Sequence, residues 1–156
     1  MTAIATLRSL GACEASINWA SRRRGRSPQE LWSACLRGDW LAWYLGKLGA
    51  RDGHGSTAHR RAVLVACLCA RTVSRYWRSP ECERAVSLAE RWAWGDETVT
   101  RDDLRDATHA TYAYAAAAAY AAAYAADAGA YDADARTAHL ASLADLIRAA
   151  VPEVPL

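Results

Sequence analysis

Between Ala110 and Ala126 the chain reads ATYAYAAAAAYAAAYAA, with nothing but alanine and tyrosine after Thr111. Alanine is the strongest helix former because it gives up no side-chain freedom and buries no polar group. A run this long commits the C-terminal third to helix before any tertiary contact is made. It also sets how near a neighbour can come, since a face of methyl groups lets two backbones approach closely. No side chain in the run is poised for chemistry, so the tract speaks to architecture and recognition rather than to a reaction.

The rest of the chain carries helix punctuation and no strand punctuation. Leu10, Cys13, Ile17 and Ala20 recur at three-to-four spacing and predict a first helix over Ser9–Ser21, closed by the basic turn Arg22-Arg23-Arg24-Gly25-Arg26. Ser27-Pro28-Gln29-Glu30 then supplies a capping serine, a proline at the first helical position and a glutamate at the third, a capping box ahead of Leu31 and Trp32. Gly38 reads as the stop of that helix, and Asp39 as the cap of a short one over Trp40–Leu48, with Gly49–Ser56 as a loop. Ser56 or Thr57 opens a strongly apolar helix to about Trp77, the candidate for the central position. Ser79-Pro80-Glu81 starts another that runs to Trp94 before Gly95. Thr100-Arg101-Asp102-Asp103 places acids at the positive end of a helix dipole. From there helix continues through the alanine tract, bends near Gly129 and resumes to Ala150. The expected fold class is all-α: one compact domain over residues 1–151, of six to seven helices with a long Ala-rich C-terminal helix, and a proline-containing tail at 152–156.

Bulk properties narrow the class further. With 156 residues, 53% of them hydrophobic, and 7 Trp and 7 Tyr, the chain can build one real core. No window reaches the roughly 18 consecutive apolar residues of a membrane span, and Arg8 and Glu14 interrupt any signal-peptide core. The five cysteines form no Cys-x-x-Cys pair and read as reduced thiols, so the expected location is cytoplasmic. Net charge is +2, but residues 1–80 carry a balance of +9 and residues 81–156 a balance of −7. That polarity serves either an external partner or attraction between the two halves of one domain.

At ~100° per residue, the tract sorts into two faces. Ala115, Ala118, Ala122, Ala126, Ala133 and Leu140 form one, suited to close packing. Tyr120, Tyr124, Asp127, Tyr131 and Asp134 form the other, joined by His109 on a straight helix. Tyrosine offers broad contact area with few bonds to freeze, and interspersed aspartates favour a basic partner. The stripe is thus a candidate partner-binding surface, with packing against the tryptophan-rich helices as the alternative. The alanine face also allows self-association, which leaves monomer and homodimer both open.

Other chemistry finds little support. The histidines (His54, His59, His109, His139) and cysteines have no metal-ligand spacing, and Cys67 and Cys69, two apart on a helix, point in different directions. No cysteine has a base nominated beside it, and phosphate-loop and dinucleotide patterns are absent. No metal, cofactor or catalytic residue is expected, and the chain reads as a non-enzyme. The basic group Arg22, Arg23, Arg24 and Arg26 is an alternative site that could meet phosphates, although no nucleic-acid-binding motif accompanies it. A third reading is a small-molecule pocket lined by Trp32, Trp40, Trp43, Trp92 and Trp94.

Taken in order, the basic turn, SPQELWSACLRGDWLAWYLGKLG, RRAVLVACLCAR, ERWAWGDETVT and the alanine–tyrosine–aspartate tract resemble the small bacterial proteins of the Imm-5-like immunity family. The resemblance covers roughly Cys13 to Ala150, and its most specific parts are Ser27–Trp43 and Tyr120–Ala128. It implies a helical, non-enzymatic protein-binding module that neutralises a cognate toxin by stoichiometric binding, and it carries no residue-level motif. The alternative is a phage- or host-encoded helical protein that binds nucleic acid or a defence component through its Arg-rich N-terminal half.

Overall fold

A computed structural model describes residues 2–72, 74, 80–105 and 133–153. Every regular element among these is a helix: α1 (Ala3–Ser9), α2 (Glu14–Ser21), α3 (Pro28–Ala34), α4 (Gly38–Asp52), α5 (Thr57–Thr72), α6 (Pro80–Ala93), α7 (101–105) and α8 (Ala133–Ala150). The all-α class holds, with eight helical segments among the described residues where six to seven were expected. The alanine–tyrosine tract and the bend expected near Gly129 lie outside the described residues, and α8 is the described part of the expected long C-terminal helix.

Helix starts that depend on local chemistry fall where the sequence puts them. At α3 the Ser27 amide donates to Glu30 Oε2 at 2.7 Å, while the Glu30 amide donates to Ser27 Oγ at 3.2 Å. Each satisfies a donor that the first turn leaves without an intrahelical partner. Thr100 and Asp103 make the same reciprocal pair ahead of α7, at 2.8 and 3.2 Å. Ser56 Oγ accepts from the His59 amide at 3.1 Å and so opens α5.

Three expected boundaries are corrected, each at a glycine. The single helix over Ser9–Ser21 is two helices, because Gly11 takes φ +77° and turns the chain between them. Its amide bonds back to the Arg8 carbonyl, and Cys13 becomes the N-cap of α2. The apolar spacing runs straight across this break, so spacing alone joins what the backbone divides. Gly38 does not stop a helix but begins α4, whose N-cap is Arg37 rather than Asp39. Gly49 does not open the loop either; it is buried inside α4, which continues to Asp52 before Gly53 ends it.

Both glycines of α4 are explained by packing. A methyl group on Gly38 would stand 2.7 Å from Leu143 Cβ and 2.8 Å from the Ala144 backbone nitrogen of α8. One on Gly49 would stand 3.0 Å from His59 Cα of α5. Helix α4 therefore lies directly against both α5 and α8, and α5 also contacts α6 and α8, which makes α5 the central helix as its apolar composition predicts. Leu41, Leu45, Val65, Ala144, Ile147 and Val151 fill the space between them, with Trp32 and Cys35 closing one end.

Polar bonds fix the periphery. The Trp32 indole N–H donates to the Val151 carbonyl at 3.1 Å, and Arg148 donates to the Cys35 carbonyl, so the start of the C-terminal tail and α8 are tied to α3. Arg71 of α5 donates to both Glu90 oxygens at 2.6 Å and to Glu83 at 2.8 Å on α6. One arginine from the basic half thus meets two acids from the other half, and part of the charge polarity serves the fold.

Replacing Gly38 by alanine should lower stability by about 1–3 kcal/mol, despite alanine's better helix propensity, because a backbone atom of α8 cannot step aside. Urea denaturation checks this; an unchanged midpoint would mean that α4 and α8 are farther apart than described.

Candidate functional site

Five aromatic rings gather where α1, α2, α3 and α4 meet, around a cleft of about 790 Å³. Their positions follow from helix geometry. Trp40, Trp43 and Tyr44 occupy one side of α4, at spacings that put them on adjacent turns, while Leu41, Leu45 and Leu48 on its other side enter the core. Trp19 comes from α2 and Trp32 from α3. Trp19 and Trp40 meet edge to face, with centroids 6.2 Å apart and planes at 72°; Trp32 and Tyr44 are also 6.2 Å apart, at 54°. Both lie in the range at which aromatic pairs attract. The outer wall is α1, which buries none of its residues and contributes Ala3, Thr6 and Leu7.

The charged groups at the cleft are arginines and one aspartate. Arg37 donates from Nε and Nη2 to the Asp39 carboxylate at 2.8 and 2.6 Å, and its guanidinium lies 4.5 Å from the centre of the Trp40 ring. The hydrogen bonds and charge of Arg37 hold the Asp39 carboxyl below the usual carboxylate range. Arg51 lines the cleft two helical turns beyond Tyr44 and donates from Nε to Asp52 at 2.7 Å. Burial pushes the Tyr44 phenol up, and the Arg51 charge opposes that shift.

The sequence-nominated residues divide unevenly around this cleft. Trp32, Trp40 and Trp43 line it as the pocket reading expects, and Trp19 joins them unannounced. Trp92 and Trp94 do not: Trp92 is buried beneath α5, and Trp94 is 74% exposed at the end of α6. Of the basic turn, Arg23 packs its guanidinium 4.4 Å from the Trp19 ring centre and donates to the Trp19 carbonyl at 3.3 Å. Arg22, Arg24 and Arg26 make no salt bridge among the described residues, although the Arg26 charge acts on the Glu30 carboxylate. Tyr120, Tyr124, Asp127 and Tyr131 lie outside the described residues; Asp134 falls in the first turn of α8, where the backbone alone is described.

A second cluster sits at the far end of α4. His54 and His59 are 5.0 Å apart and each lies within 5.4 Å of the Trp92 ring, which Arg60 caps at 4.9 Å. The Gly55 amide donates to His59 Nδ1 at 3.0 Å, so this imidazole serves as an acceptor and is neutral. Among the described residues no three potential ligands converge on a metal position, and no described helix is long and apolar enough to cross a membrane. No family model matches the chain, and neither does any curated protein or solved structure.

Two measurements probe these environments. All five cysteines are free thiols. Cys13 is exposed at the cleft, and hydrogen bonding with Ser16 lowers its pKa. Burial raises those of Cys35 and Cys69 and pushes Cys67 up to about 11. A disulfide reagent at neutral pH should therefore modify Cys13 first in the native protein, and Cys35 and Cys67 only on unfolding; equal rates for all three would contradict the packing.

The second concerns His59, whose pKa is lowered by partial burial, then by His54 and Arg60. The unfolded chain binds the proton more readily, so stability rises with pH between the lowered folded value and the ordinary value of about 6.5. The contribution is complete above about pH 6.5 and is lost as pH falls through that window. Thermal midpoints measured from pH 7.5 down to 5 should drop, and His59→Gln should flatten the drop.

Proposed function

We propose that this chain is a non-enzymatic protein-binding module that neutralises a cognate toxin by stoichiometric occlusion, with the aromatic cleft and its arginine margin as the contact surface. The class of partner comes from the resemblance to immunity proteins. The observation that carries the surface is the gathering of Trp19, Trp40 and Trp43, all partly exposed, around one cleft bordered by Arg23 and Arg37. Tryptophan, tyrosine and arginine are the residues that dominate binding energy at protein interfaces, because they pair large contact area with directed polar groups. An excess of positive charge over residues 1–80 would steer an acidic partner toward this face. The Tyr120–Asp134 stripe stands as a second candidate contact.

The direct test is to identify any secreted protein with a variable C-terminal domain encoded by an adjacent gene and to titrate this protein with that domain by calorimetry. A 1:1 complex is expected, with an association rate that falls as salt rises, and Trp43→Ala should weaken it about tenfold or more, roughly 1.4 kcal/mol. No complex would overturn the toxin reading. Unchanged affinity in Trp43→Ala, with loss in Tyr124→Ala or Asp127→Ala, would move the contact to the tyrosine stripe.

One observation favours a second reading. Arg22, Arg24 and Arg26 stand on one turn and make no salt bridge among the described residues, with only Arg26 acting at longer range on Glu30, an arrangement suited to phosphates. Binding to duplex or single-stranded DNA at low salt, lost in the triple Arg→Gln variant, would support a nucleic-acid role. Absence of affinity at low salt would dispose of it.

A further inference from the structure

We infer that the cleft among α1, α2, α3 and α4 is a binding site for a small aromatic anion, a fused or linked ring system carrying one carboxylate or sulfonate. This rests on the reading of the cleft as a binding site, and not on the identity of any protein partner.

Size comes first. A space of about 790 Å³ lies within the roughly 300–1,000 Å³ range of small-molecule sites. The walls are the next constraint. The partly exposed Trp19 and Trp40 meet at 72°, and Trp43 and Tyr44 stand beside them with the buried Trp32 behind, which suits a planar guest that can stack on one ring and meet the edge of another. An aliphatic guest would use the area but not the angles.

Charge selects the sign. Arg37 is closed: both donors that face Asp39 are engaged, and its flat surface covers Trp40. Arg51 is engaged through Nε alone, and among the described residues no acceptor meets its two terminal nitrogens. Its partner Asp52 is not part of the cleft wall, whereas Arg51 is. The site therefore offers one planar donor pair at one end of an apolar, aromatic space. That geometry matches an oxyanion attached to rings, because a guanidinium fork donates two parallel hydrogen bonds to a carboxylate or sulfonate.

Helix α1 forms one wall of the cleft. This seven-residue helix buries no side chain, packs against α2, and joins it through Gly11 at φ +77°. It contributes nothing to the Leu45–Val65–Ile147 core, so this wall is held apart from the packing that fixes α4.

The test uses two probes on the full chain, followed by fluorescence: 1-anilinonaphthalene-8-sulfonate and its uncharged relative N-phenyl-1-naphthylamine. The expected result is one saturable site for the sulfonate, with quenching of tryptophan emission. Arg51→Gln should weaken the sulfonate by about tenfold and the neutral probe by less than about twofold, and Arg51→Lys should recover part of the sulfonate affinity. Arg51 is exposed, so unchanged circular dichroism and melting are expected for both variants and are checked alongside. Non-saturable binding, or a sulfonate affinity unaltered in Arg51→Gln, would overturn the assignment. Because no toxin is present in this titration, its failure leaves the toxin complex to be judged separately, and loss of that complex would leave this site standing.

Discussion

The close approach of α4 to its two neighbours governs the rest of the molecule. Gly38 lies against α8 and Gly49 against α5, eleven residues and therefore about 16 Å apart along one helix. At both points the absent side chain lets backbone meet backbone. Between them Leu41, Leu45 and Leu48 point into the core with little room to choose other rotamers. With its inner face pinned, the other face of α4 has a fixed outward direction. Trp40, Trp43 and Tyr44 are held on that face, so the geometry of the cleft is inherited from contacts made on the opposite side of the same helix. A substitution at Gly38 acts on the core directly and on the cleft by rotation.

This arrangement explains which features could be read from the residues. The pairs Ser27–Glu30 and Thr100–Asp103 act within three residues, so the sequence contains everything that determines them. Gly38 and Gly49 are different. A glycine marks a helix end or a close approach of backbones with the same letter, and only the neighbouring helix distinguishes the two. Gly11 shows the reverse case, in which apolar spacing carries on through a real break. The cleft was legible in part: Trp32, Trp40 and Trp43 are near one another in sequence, and helix spacing aligns two of them. Trp19 was invisible because its place depends on how α2 docks, and Trp92 was misassigned because α6 carries it to the other end, beside His54 and His59. The tyrosine–aspartate stripe lies almost wholly outside the described residues, and its role is carried only by the pattern itself.

The charge polarity has a divided purpose. Arg71 spends three donors on Glu83 and Glu90, which fastens α5 to α6 and uses acids of one half to hold a base of the other. Arg37, Arg51 and Arg91 find partners within a few residues, at Asp39, Asp52 and Asp96. The Asp96 carboxyl, held by Thr98 and Arg91, is brought down to about 2. Those local pairs are exposed and add little to stability. Among the described residues they leave Arg8, Lys47, Arg60, Arg61, Arg84 and Arg101 without a salt bridge, together with the turn from Arg22 to Arg26, which borders the cleft through Arg23 and Trp19. Part of the surplus positive charge therefore lies beside the aromatic rings of the cleft, and part lies elsewhere, as at Arg60 over Trp92.

Magnitude decides whether the cleft is a packing defect. A sealed apolar void costs on the order of 24 cal/mol per Å³, so one of about 790 Å³ would cost roughly 20 kcal/mol. That exceeds the whole stability of a typical domain, about 5–15 kcal/mol. The space must therefore communicate with solvent, which reaches the partly exposed Trp19, Trp40 and Trp43 while Trp32 stays packed in the core. Wetted indole faces forgo the stabilisation that burial would give, and α1, with no side chain buried, does little to recover it. Whatever covers those rings regains that free energy as affinity, while the pinned inner face of α4 spares it the cost of ordering them. The fold thus keeps its rigid element and its unburied aromatic surface on the same helix, which is the arrangement a binding site requires.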